Sequence, residues 1–351
     1  MDTTTVGVDL AKNRFELAVA DGEYRIRRRA RLTRTQFAGF FGNHPQSRVV
    51  MEACGSAHHW ARMLAAQGHQ VQLLPAQYVR AYVMRNKTDA ADASALIEAA
   101  RCAEIRPVPV KSIEQQAIQQ LHRLRAQCLG TRTARINWLR GALREFGISI
   151  PVGARRGISA VRQALAAAEP AVPTLLRPGI EDTLAELAAL EQRSTRIERE
   201  LARLSHEDPV VQALLGIPGI GLLGATALAA AIVDIQRFGS GRHLASWLGL
   251  TAREHSSGER RRLGRISKRG DVYLRTLLIH GARAVLNAAT RAARCGRPLD
   301  RLRAWALATA KRCGYNKATV ALANKLARIV WATWKYQRPF DGNWAVRSGN
   351  A

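Results

Sequence analysis

The order of the apolar segments in the first hundred residues most constrains the fold of this chain. Residues 6–20 have the period-two alternation and the central polar turn of a β-hairpin, and a third strand is predicted over residues 24–32. Two more apolar segments, at residues 48–51 and 70–74, have the length and composition of buried strands. The sequence therefore predicts a meander of three strands followed by two further strands.

Helical segments separate the later strands. Short helices are predicted near residues 35–42 and 58–67, and two more begin at Gln77 and at Thr88. A three-stranded meander followed by strands that alternate with helices is the order of the ribonuclease-H-like fold. We therefore expect an α/β domain that ends near Arg106.

The rest of the chain is predicted to be mainly helical. Leucines and isoleucines recur at three- and four-residue spacings over 112–146 and 180–205, on either side of a Gly- and Pro-containing break at 147–157. The second segment interleaves them with Glu and Arg, which is typical of a coiled-coil or helical-hairpin spacer. We expect this α/β domain, a helical spacer, a C-terminal helical domain and a tail, with boundaries 1–106, 107–208, 209–338 and 339–351.

The charge of the chain indicates a polyanionic partner. The 54 Lys and Arg outnumber the 27 Asp and Glu, so the net charge is +27. Phosphate is the obvious counter-charge, which favours nucleic acid, although ribosomal and membrane-surface proteins are also basic. With 351 residues, 47% of them hydrophobic, the chain is long enough to bury real cores, so it is not a disordered basic tail.

Cysteine spacing and hydropathy indicate the compartment. The five cysteines are scattered singly without a Cys-x-x-Cys pair, which favours neither a zinc site nor a disulfide framework. The first residues lack a basic segment followed by an apolar one, and the longest apolar run, 222–233, is shorter than the roughly 20 residues that span a bilayer. We expect a cytoplasmic, nucleoid-associated protein with no membrane partner.

Four carboxylates are the first candidate site. Asp9 and Glu52 end apolar strands, and Asp89 and Asp92 share one face of a predicted helix. Carboxylate oxygens are the ligands that Mg²⁺ prefers, and two such ions can stabilise both oxygens of an in-line phosphoryl transfer. The alternative is that Asp89 only caps its helix and that Glu52 is an ordinary polar residue at a strand end.

The second motif is the string Leu-Gly-Ile-Pro-Gly-Ile-Gly at residues 215–221, followed by an Ala-rich helix over 222–232. Gly219 and Gly221 allow a tight turn and a close approach of backbone N–H groups to a phosphate at a helix N-terminus. The pattern favours a helix-hairpin-helix that binds nucleic-acid backbone. An ordinary tight connection with a role in packing is the alternative.

The third motif is a basic stretch, residues 249–270, that contains Ser256 and Ser257. Its Ser-Gly pair is surrounded by guanidinium groups, as expected of a nucleophile that attacks a phosphate. Alternatively, this is a basic surface loop with solvated serines, since it contains no evident His-Asp relay. The candidate nucleic-acid contacts in it are Arg260, Arg261, Arg262, Arg265, Lys268 and Arg269.

Five segments together resemble the DEDD insertion-sequence transposases, which have a RuvC-like N-terminal domain, a coiled-coil middle and a serine-bearing C-terminal transposase domain. The resemblance covers both ends of the chain in the right order. Two strings are specific, Arg-Asn-Lys-Thr-Asp-Ala-Ala-Asp-Ala at 85–93 and Arg-Ile-Ser-Lys-Arg-Gly-Asp at 265–271. The five segments are 6–12, 49–55, 86–93, 215–221 and 248–280.

The resemblance implies a function, cofactors and partners. The four carboxylates would hold Mg²⁺ as two ions, and Ser257 would attack DNA to give a phosphoserine intermediate. Family members act as multimers, which implies a dimer or tetramer, and an element-encoded bridge RNA pairs with donor and target DNA. The sequence departs from the family pattern in its doubled serine, so Ser256 is an alternative nucleophile.

Other interpretations stay open. A RuvC-like, structure-specific endonuclease would use the metal site with water as the nucleophile, which leaves the serine region and the spacer unexplained. A non-enzymatic nucleic-acid-binding protein leaves the four acids unexplained. The segment at residues 6–11 could also open an actin-like sugar kinase, but no second phosphate loop or Gly-rich adenosine motif follows it.

Overall fold

The computed structural model of the chain describes residues 4–84, 88–167 and 172–342. The first part of the motif string at 85–87 and most of the predicted tail lie outside these residues. The chain forms two compact units, Met1–Ile113 and Glu114–Ala351. The finer division of the second unit near residue 208 stays a prediction.

The first unit contains a five-stranded mixed sheet. Strands β1, β2 and β3 form an antiparallel meander, and β4 and β5 continue the sheet in parallel with β1, so the order is β3-β2-β1-β4-β5. This arrangement is consistent with the ribonuclease-H-like expectation. The strands are β1 (Thr5–Leu10), β2 (Arg14–Ala20), β3 (Ile26–Thr33), β4 (Arg48–Glu52) and β5 (Gln70–Leu74).

Helices cover both faces of this sheet. Helices α1 and α2 supply Phe37, Phe41, Trp60 and Leu64 to the core on one face, and α4 packs against the other face. The alternation of side chains along each strand therefore separates an apolar core under α1 and α2 from a face that α4 covers. The helices are α1 (Arg34–Gly42), α2 (Ala57–Ala66), α3 (Ala76–Val79) and α4 (Asp89–Arg101).

The second unit begins with an antiparallel helical pair, α5 (Ile113–Arg144) and α7 (Arg177–Glu207). Successive cations along α5 meet successively earlier acids along α7, as an antiparallel pair requires. The three ion pairs are Arg125–Glu198 at 2.7 Å, Arg132–Glu191 at 3.3 Å and Arg135–Glu186 at 2.6 Å. The sequence allowed either a coiled coil or a helical hairpin for the spacer, and the antiparallel pair is a helical hairpin. Whether the two helices supercoil around each other stays a prediction.

A further helix, α6 (Ala154–Ala166), lies where the sequence predicted only an irregular break over 147–157. That prediction was wrong for the last residues of the break. Val161 is buried in one core cluster with Leu139 of α5 and Ile180 of α7. The apolar residues of α6 therefore close one end of the helical pair.

The C-terminal part of the second unit is mainly helical, with one two-stranded hairpin that the sequence analysis did not predict. Its core is formed by aliphatic side chains from α8, α9, α10, α11, α12 and α13. The Ala-rich helix is confirmed at its predicted bounds. The elements are α8 (Pro209–Leu215), α9 (Leu222–Ile232), α10 (Gly241–Trp247), β6 (Ala252–Glu254), β7 (Leu263–Ile266), α11 (Val272–Arg294), α12 (Arg301–Cys313) and α13 (Tyr315–Tyr336).

Hydropathy along the helices bears on the membrane expectation. Within the described residues, none of the helices combines the length and the apolar character needed to cross a membrane.

Candidate functional site

Three of the four predicted carboxylates converge. One carboxylate oxygen of each of Asp9, Asp89 and Asp92 lies within 4.8 Å of the others. Asp9 and Asp92 are half-buried and Asp89 is exposed, so the group opens to solvent. Three hard oxygen donors at this separation fit a divalent cation such as Mg²⁺ or Mn²⁺.

Local structure explains the convergence. Asp9 lies near the end of β1, and Asp89 and Asp92 occupy the first turn of α4. Thr88 caps this helix, because its hydroxyl accepts a hydrogen bond from the Ala91 N–H. The partial positive charge of the helix N-terminus stabilises the two helical carboxylates where they face Asp9.

Gly7 permits α4 to pack closely on β1, the strand that carries Asp9. A Cβ atom at this position would overlap the carbonyl oxygen of Ala93 and would lie 2.9 Å from the Ile97 side chain. Only glycine lets the helix backbone lie directly on β1 two residues before Asp9. The Gly7 position therefore sets the distance between the two parts of the acidic group.

Glu52 lies beside the group but is not one of its three members. Glu52 ends β4, which pairs in parallel with β1. The last residues paired between these strands are Val8 and Met51, so Asp9 and Glu52 each follow directly after that pair. Since the side chains of both Val8 and Met51 face the α1 and α2 core, those of Asp9 and Glu52 point to the α4 face. Glu52 is thus on the correct face and at the correct end of its strand, while its role as a ligand stays a prediction.

Two arginines of β3, which the sequence analysis did not single out, order this region. Arg29 donates hydrogen bonds of 2.9 Å from Nη1 to the Ala90 carbonyl oxygen and to Ser94 Oγ, both on α4. Arg31 forms an ion pair of 3.0 Å with Glu16, the β2 residue that pairs with Asp9. The run of arginines in the third strand was a signal that this strand has charged partners, but the sequence alone does not say which elements supply them.

Ser257 lies at the tip of the hairpin formed by β6 and β7. Its N–H donates to the carbonyl of Arg260 at 3.3 Å, and the N–H of Arg260 donates back at 3.2 Å. Gly258, between them, has φ 56°, which favours glycine at the first central position of a two-residue turn. The serine side chain is exposed, and none of the described residues forms a hydrogen bond with its hydroxyl.

Ser256 differs from its neighbour in its contacts. Its hydroxyl donates to a carboxylate oxygen of Glu254 at 2.7 Å and accepts from the Arg262 N–H at 3.1 Å. The same Glu254 carboxylate lies 3.5 Å from Arg261 Nε. The Ser256 hydroxyl is therefore used to hold the two strands of the hairpin together.

A buried arginine holds together the two chain segments that enter and leave the hairpin, near Leu248 and Gly270, which we call its neck. Arg275, in the first turn of α11 and 7% exposed, donates from Nη1 to the carbonyl oxygens of Leu248 at 3.1 Å and Gly270 at 3.0 Å. Gly270 packs so tightly that a Cβ there would overlap the Trp247 carbonyl oxygen, and Gly249 has φ 71°. These contacts join the two ends of residues 249–270.

The predicted cations of the hairpin are all exposed. This holds for Arg260, Arg261, Arg262, Arg265, Lys268 and Arg269. Exposed guanidinium and ammonium groups around an exposed serine produce a positive potential where a phosphodiester would approach. Chemically, the hairpin can bind a phosphate and present a hydroxyl to it.

The glycines of the predicted helix-hairpin-helix differ in their surroundings. Gly219 has φ 86°, and a Cβ on it would lie 2.7 Å from the carbonyl oxygen of Gly281 on α11. Gly221 is exposed at the N-cap of α9 and has no side chain to cap the helix. Gly219 therefore serves packing between the turn and α11, and Gly221 leaves the first N–H groups of α9 accessible.

Comparisons with known proteins give a consistent family. The model of the transposase IS116/IS110/IS902 family matches residues 211–295, and a DEDD-type IS110 transposase model matches residues 6–148. The chain is 44% identical to a probable family 20 transposase of Pseudomonas aeruginosa over 95% of its own length and 97% of the relative's. It is 37% identical to the transposase for insertion sequence element IS1111A of Coxiella burnetii, over 97% of its own length and 92% of the relative's. It is 35% identical to the transposase for insertion sequence element IS1328 of Yersinia enterocolitica, over 94% of its own length and 96% of the relative's.

Proposed function

Since this chain belongs to the IS116/IS110/IS902 family of transposases, enzymes that cleave and rejoin DNA, we propose that it recombines DNA by attack of Ser257 assisted by a divalent cation. The observation that most supports this mechanism is the convergence of Asp9, Asp89 and Asp92 from two distant segments. A protein that only bound nucleic acid would have no use for three clustered acids in a chain of net charge +27.

We assign the metal site to Asp9, Asp89 and Asp92, with Glu52 as a fourth ligand on the neighbouring strand. Their oxygen donors fit Mg²⁺, and the group is open enough for a phosphate oxygen to complete the coordination. When bound, one or two Mg²⁺ ions would neutralise charge on the reacting phosphate and stabilise the leaving oxygen. Arg29 and the Thr88 cap keep the α4 carboxylates in place.

We assign the nucleophile to Ser257 rather than Ser256. The Ser257 hydroxyl is exposed at the hairpin tip, whereas the Ser256 hydroxyl already donates to Glu254 and accepts from Arg262. In the proposed step, Ser257 Oγ forms a bond to phosphorus and loses its proton to solvent. The bond from phosphorus to one deoxyribose oxygen breaks, and that oxygen takes up a proton as a free hydroxyl.

Rejoining reverses these bond changes. The hydroxyl of a second DNA end attacks the phosphoserine, so a new phosphodiester forms and Ser257 is released with its proton restored. The exposed hairpin arginines stabilise the additional negative charge of both transition states. Each step exchanges one ester bond to phosphorus for another, so the phosphoserine intermediate conserves the energy of the cleaved DNA bond for rejoining.

We further propose how the DNA is held and chosen. Gly221 and the free N–H groups of α9 bind nucleic-acid backbone, and Gly219 contributes by packing the turn against α11. Donor and target sites are chosen by pairing with an element-encoded bridge RNA. In such a system base pairing recognises the sequence, and a basic protein only binds the backbones. The active form is a homo-oligomer, in which the acidic group of one copy acts with the Ser257 hairpin of another.

The first experiment is a covalent-adduct assay. Full-length protein, the noncoding RNA that flanks its element and labelled target DNA are mixed with Mg²⁺, and protein-bound DNA is resolved on a denaturing gel. We expect an adduct with the unmodified protein and with Ser256→Ala at a reduced rate, and none with Ser257→Ala. An adduct that persists in Ser257→Ala and disappears in Ser256→Ala would transfer the role to Ser256, and DNA cleavage without any adduct would favour the water-using endonuclease.

A mixing experiment tests the shared site. Asp9→Asn and Ser257→Ala proteins should each be inactive in strand exchange, because each lacks one half of the chemistry. If the two halves act between copies, a mixture of the two variants should regain part of the activity. Inactive mixtures, from proteins that each still bind DNA and RNA, would contradict the arrangement between copies.

A further inference from the structure

A groove of about 470 Å³ lies beside the Ser257 hairpin and has no role in the mechanism above. Its floor is one face of α13, since its contributing residues recur at spacings of three and four along the helix. The lining residues from α13 are Lys317, Val320, Ala321, Asn324, Lys325 and Arg328. Three of these six side chains are cationic.

The walls of the groove come from two other elements. Trp305 of α12 forms one wall, and Leu250, just before β6, and Ile266, the last residue of β7, form the other. Asn324 Nδ2 donates to the Leu250 carbonyl oxygen at 3.1 Å and so joins the floor to the hairpin base. The groove therefore leads to the base of the hairpin that carries the serine.

The cations of the groove lack acidic partners in its lining. Among the described residues that line it, none is Asp or Glu. Lys325 Nζ lies 4.2 Å from the centroid of the Trp305 ring, a cation–π contact that holds both groups at the surface of the groove. Burial and, to a smaller extent, the neighbouring Arg328 lower the pKa of Lys325, which is the response of an ammonium group that has no anion beside it.

We propose that this groove binds the sugar–phosphate backbone of an unpaired nucleic-acid strand and directs it to the Ser257 hairpin. Lys317, Lys325 and Arg328 contact phosphates, and the apolar wall at Trp305 packs against a sugar or an unstacked base. The three cations extend over about 16 Å of helix, which is long enough for more than one phosphate. The inference deepens the proposed function, because an unpaired strand is present only where DNA or guide RNA is opened.

Charge, shape and position together favour this ligand. A duplex presents its phosphates but keeps its bases stacked inside, whereas one strand exposes both a charged backbone and flat apolar bases, which match the cations and the Trp305 wall of the groove. A small anion would need the cations to converge on one point, but Lys317 and Arg328 are eleven residues apart on one helix. DNA and RNA strands share the chemistry that the groove recognises, so the test contains both.

The test compares two charge-matched double variants of the full-length protein. Lys317→Gln with Arg328→Gln removes two exposed cations from the groove, and Lys311→Gln with Arg312→Gln removes two exposed cations from the end of α12, outside it. Binding of fluorescent 20-nucleotide unpaired DNA and RNA of one sequence is measured by anisotropy across a salt series. We expect the groove variant to bind at least tenfold more weakly and to flatten the log–log salt slope by about 1.4, which corresponds to two lost phosphate contacts.

The α12 variant should change affinity and slope much less. If only DNA or only RNA loses affinity in the groove variant, that strand is the occupant; if both do, the groove accepts either backbone. Equal effects of the two double variants on both strands would overturn the proposal.

Photocrosslinking provides an independent readout. Oligonucleotides with 4-thiothymidine or 4-thiouridine should crosslink to the peptide that contains Trp305 or to residues 317–328, and mass spectrometry locates the site. Crosslinks that map only elsewhere would also overturn the proposal. Neither readout needs catalysis, so failure of the groove is distinguishable from failure of the Ser257 adduct, which the denaturing gel reports.

Discussion

At the scale of single residues, the acidic group depends on side chains and backbone that the sequence reveals only in part. The positions of Asp9, Asp89 and Asp92 were predictable, because strand ends and an i, i+3 spacing place carboxylates at one edge. Glu52 was predicted with equal weight, yet its strand position alone does not bring its carboxylate within 4.8 Å of the three. Strand order can be inferred from spacing, whereas the reach of a side chain depends on its rotamer.

The Gly7→Ala substitution tests the packing of α4 on β1. Because the new methyl group would overlap the Ala93 carbonyl, α4 must shift and carry Asp89 and Asp92 away from Asp9. We expect a loss of about 1–3 kcal/mol in the free energy of unfolding from overpacking, together with weaker binding of Mn²⁺ as a spectroscopic substitute for Mg²⁺. Urea unfolding and paramagnetic resonance of the free ion measure the two effects.

Gly39→Ala is the matched control for this change. Gly39 lies in α1, and the position of its absent Cβ has open space around it. Removing a helical glycine there should stabilise the protein by roughly 0.5–1 kcal/mol and leave ion binding unchanged. Wild-type stability and wild-type Mn²⁺ affinity in Gly7→Ala would show that α4 does not depend on this glycine.

His122 gives a prediction about pH. This residue of α5 is 3% exposed, with Nε2 3.0 Å from Thr226 Oγ1 and Nδ1 3.0 Å from the Tyr273 hydroxyl. Thr226 donates to the Leu222 carbonyl and so accepts from Nε2, which leaves Nδ1 to accept from Tyr273. Burial and then the nearby Arg125 lower the pKa of His122 from 6.5 to about 4, in keeping with a neutral imidazole.

The sign of the effect follows from the lowered pKa. Between pH 6.5 and about 4 the unfolded chain binds a proton that the folded His122 does not, so the free energy of unfolding falls as the pH falls through this range. The full contribution is about 3 kcal/mol and is present above pH 6.5. In His122→Gln, urea unfolding between pH 4.5 and 7.5 should show a shallower dependence on pH.

His58 serves as the reference in the other unit. Burial and the nearby Lys111 lower its pKa to about 4 as well, so His58→Gln should remove a second, separate part of the pH dependence. The two substitutions are expected to be additive, because their sites share no partners. An unchanged pH dependence in His122→Gln would show that this imidazole is not buried in its neutral form.

At the scale of elements, the sequence predicted the strands of the first unit because each has an apolar run that the core requires. Val6, Val8, Val49 and Met51 are all fully buried, and their strands begin and end within a few residues of prediction. The α6 helix was missed because Gly153 and Pro151 lie just before it, although Ile158, Val161 and Leu165 carried a helical spacing.

The β6–β7 hairpin could not be predicted from side-chain pattern. Its strands are exposed, so no alternation of apolar and polar residues marks them. Backbone pairing, the Gly258 turn and the Arg275 bonds at the neck determine the hairpin instead. The bond from Arg275 to Leu248 and those from Arg29 to α4 join residues distant in sequence, so no local pattern indicates them.

The Arg275→Met substitution tests the neck of the hairpin. It keeps an aliphatic side chain in the core but leaves the Leu248 and Gly270 carbonyls without this donor, at a cost of about 1–3 kcal/mol for each buried group that stays unpaired. We expect faster hydrogen exchange at the Ser267 and Lys268 amides, which pair with Thr251 and Gly249, and slower adduct formation by Ser257.

Arg283→Met on the same helix is its control. Arg283 is exposed, so this change removes the same charge without disturbing the neck. It should leave amide exchange in the hairpin unchanged. If Arg275→Met exchanges no faster than Arg283→Met, the hairpin neck is held by its backbone pairing and its glycines alone.

At the scale of the whole molecule, the excess of 27 positive charges should appear as a steep dependence of nucleic-acid binding on salt. A protein that makes six to ten phosphate contacts loses roughly 10³ to 10⁵ in affinity between 50 and 200 mM salt. The charge can contact phosphate best where it is exposed and not in an ion pair, as at Arg260 and Arg262 of the Ser257 hairpin. It contributes much less where it is paired, as in the ion pairs between α5 and α7.

The contribution of the hairpin can be measured by neutralising three exposed arginines there and three exposed arginines elsewhere. Replacing Arg260, Arg261 and Arg262 by Gln should flatten the log–log salt slope for duplex DNA by up to about 2.7, since each lost phosphate contact contributes about 0.9. The matched change on α7 replaces three exposed arginines that lie away from the hairpin, Arg193, Arg196 and Arg199. It should lower affinity only slightly and keep the slope.

Equal flattening by both triple variants would mean that DNA contacts the spacer as closely as the hairpin. A flat salt response in the unmodified protein would mean that the positive charge has another partner.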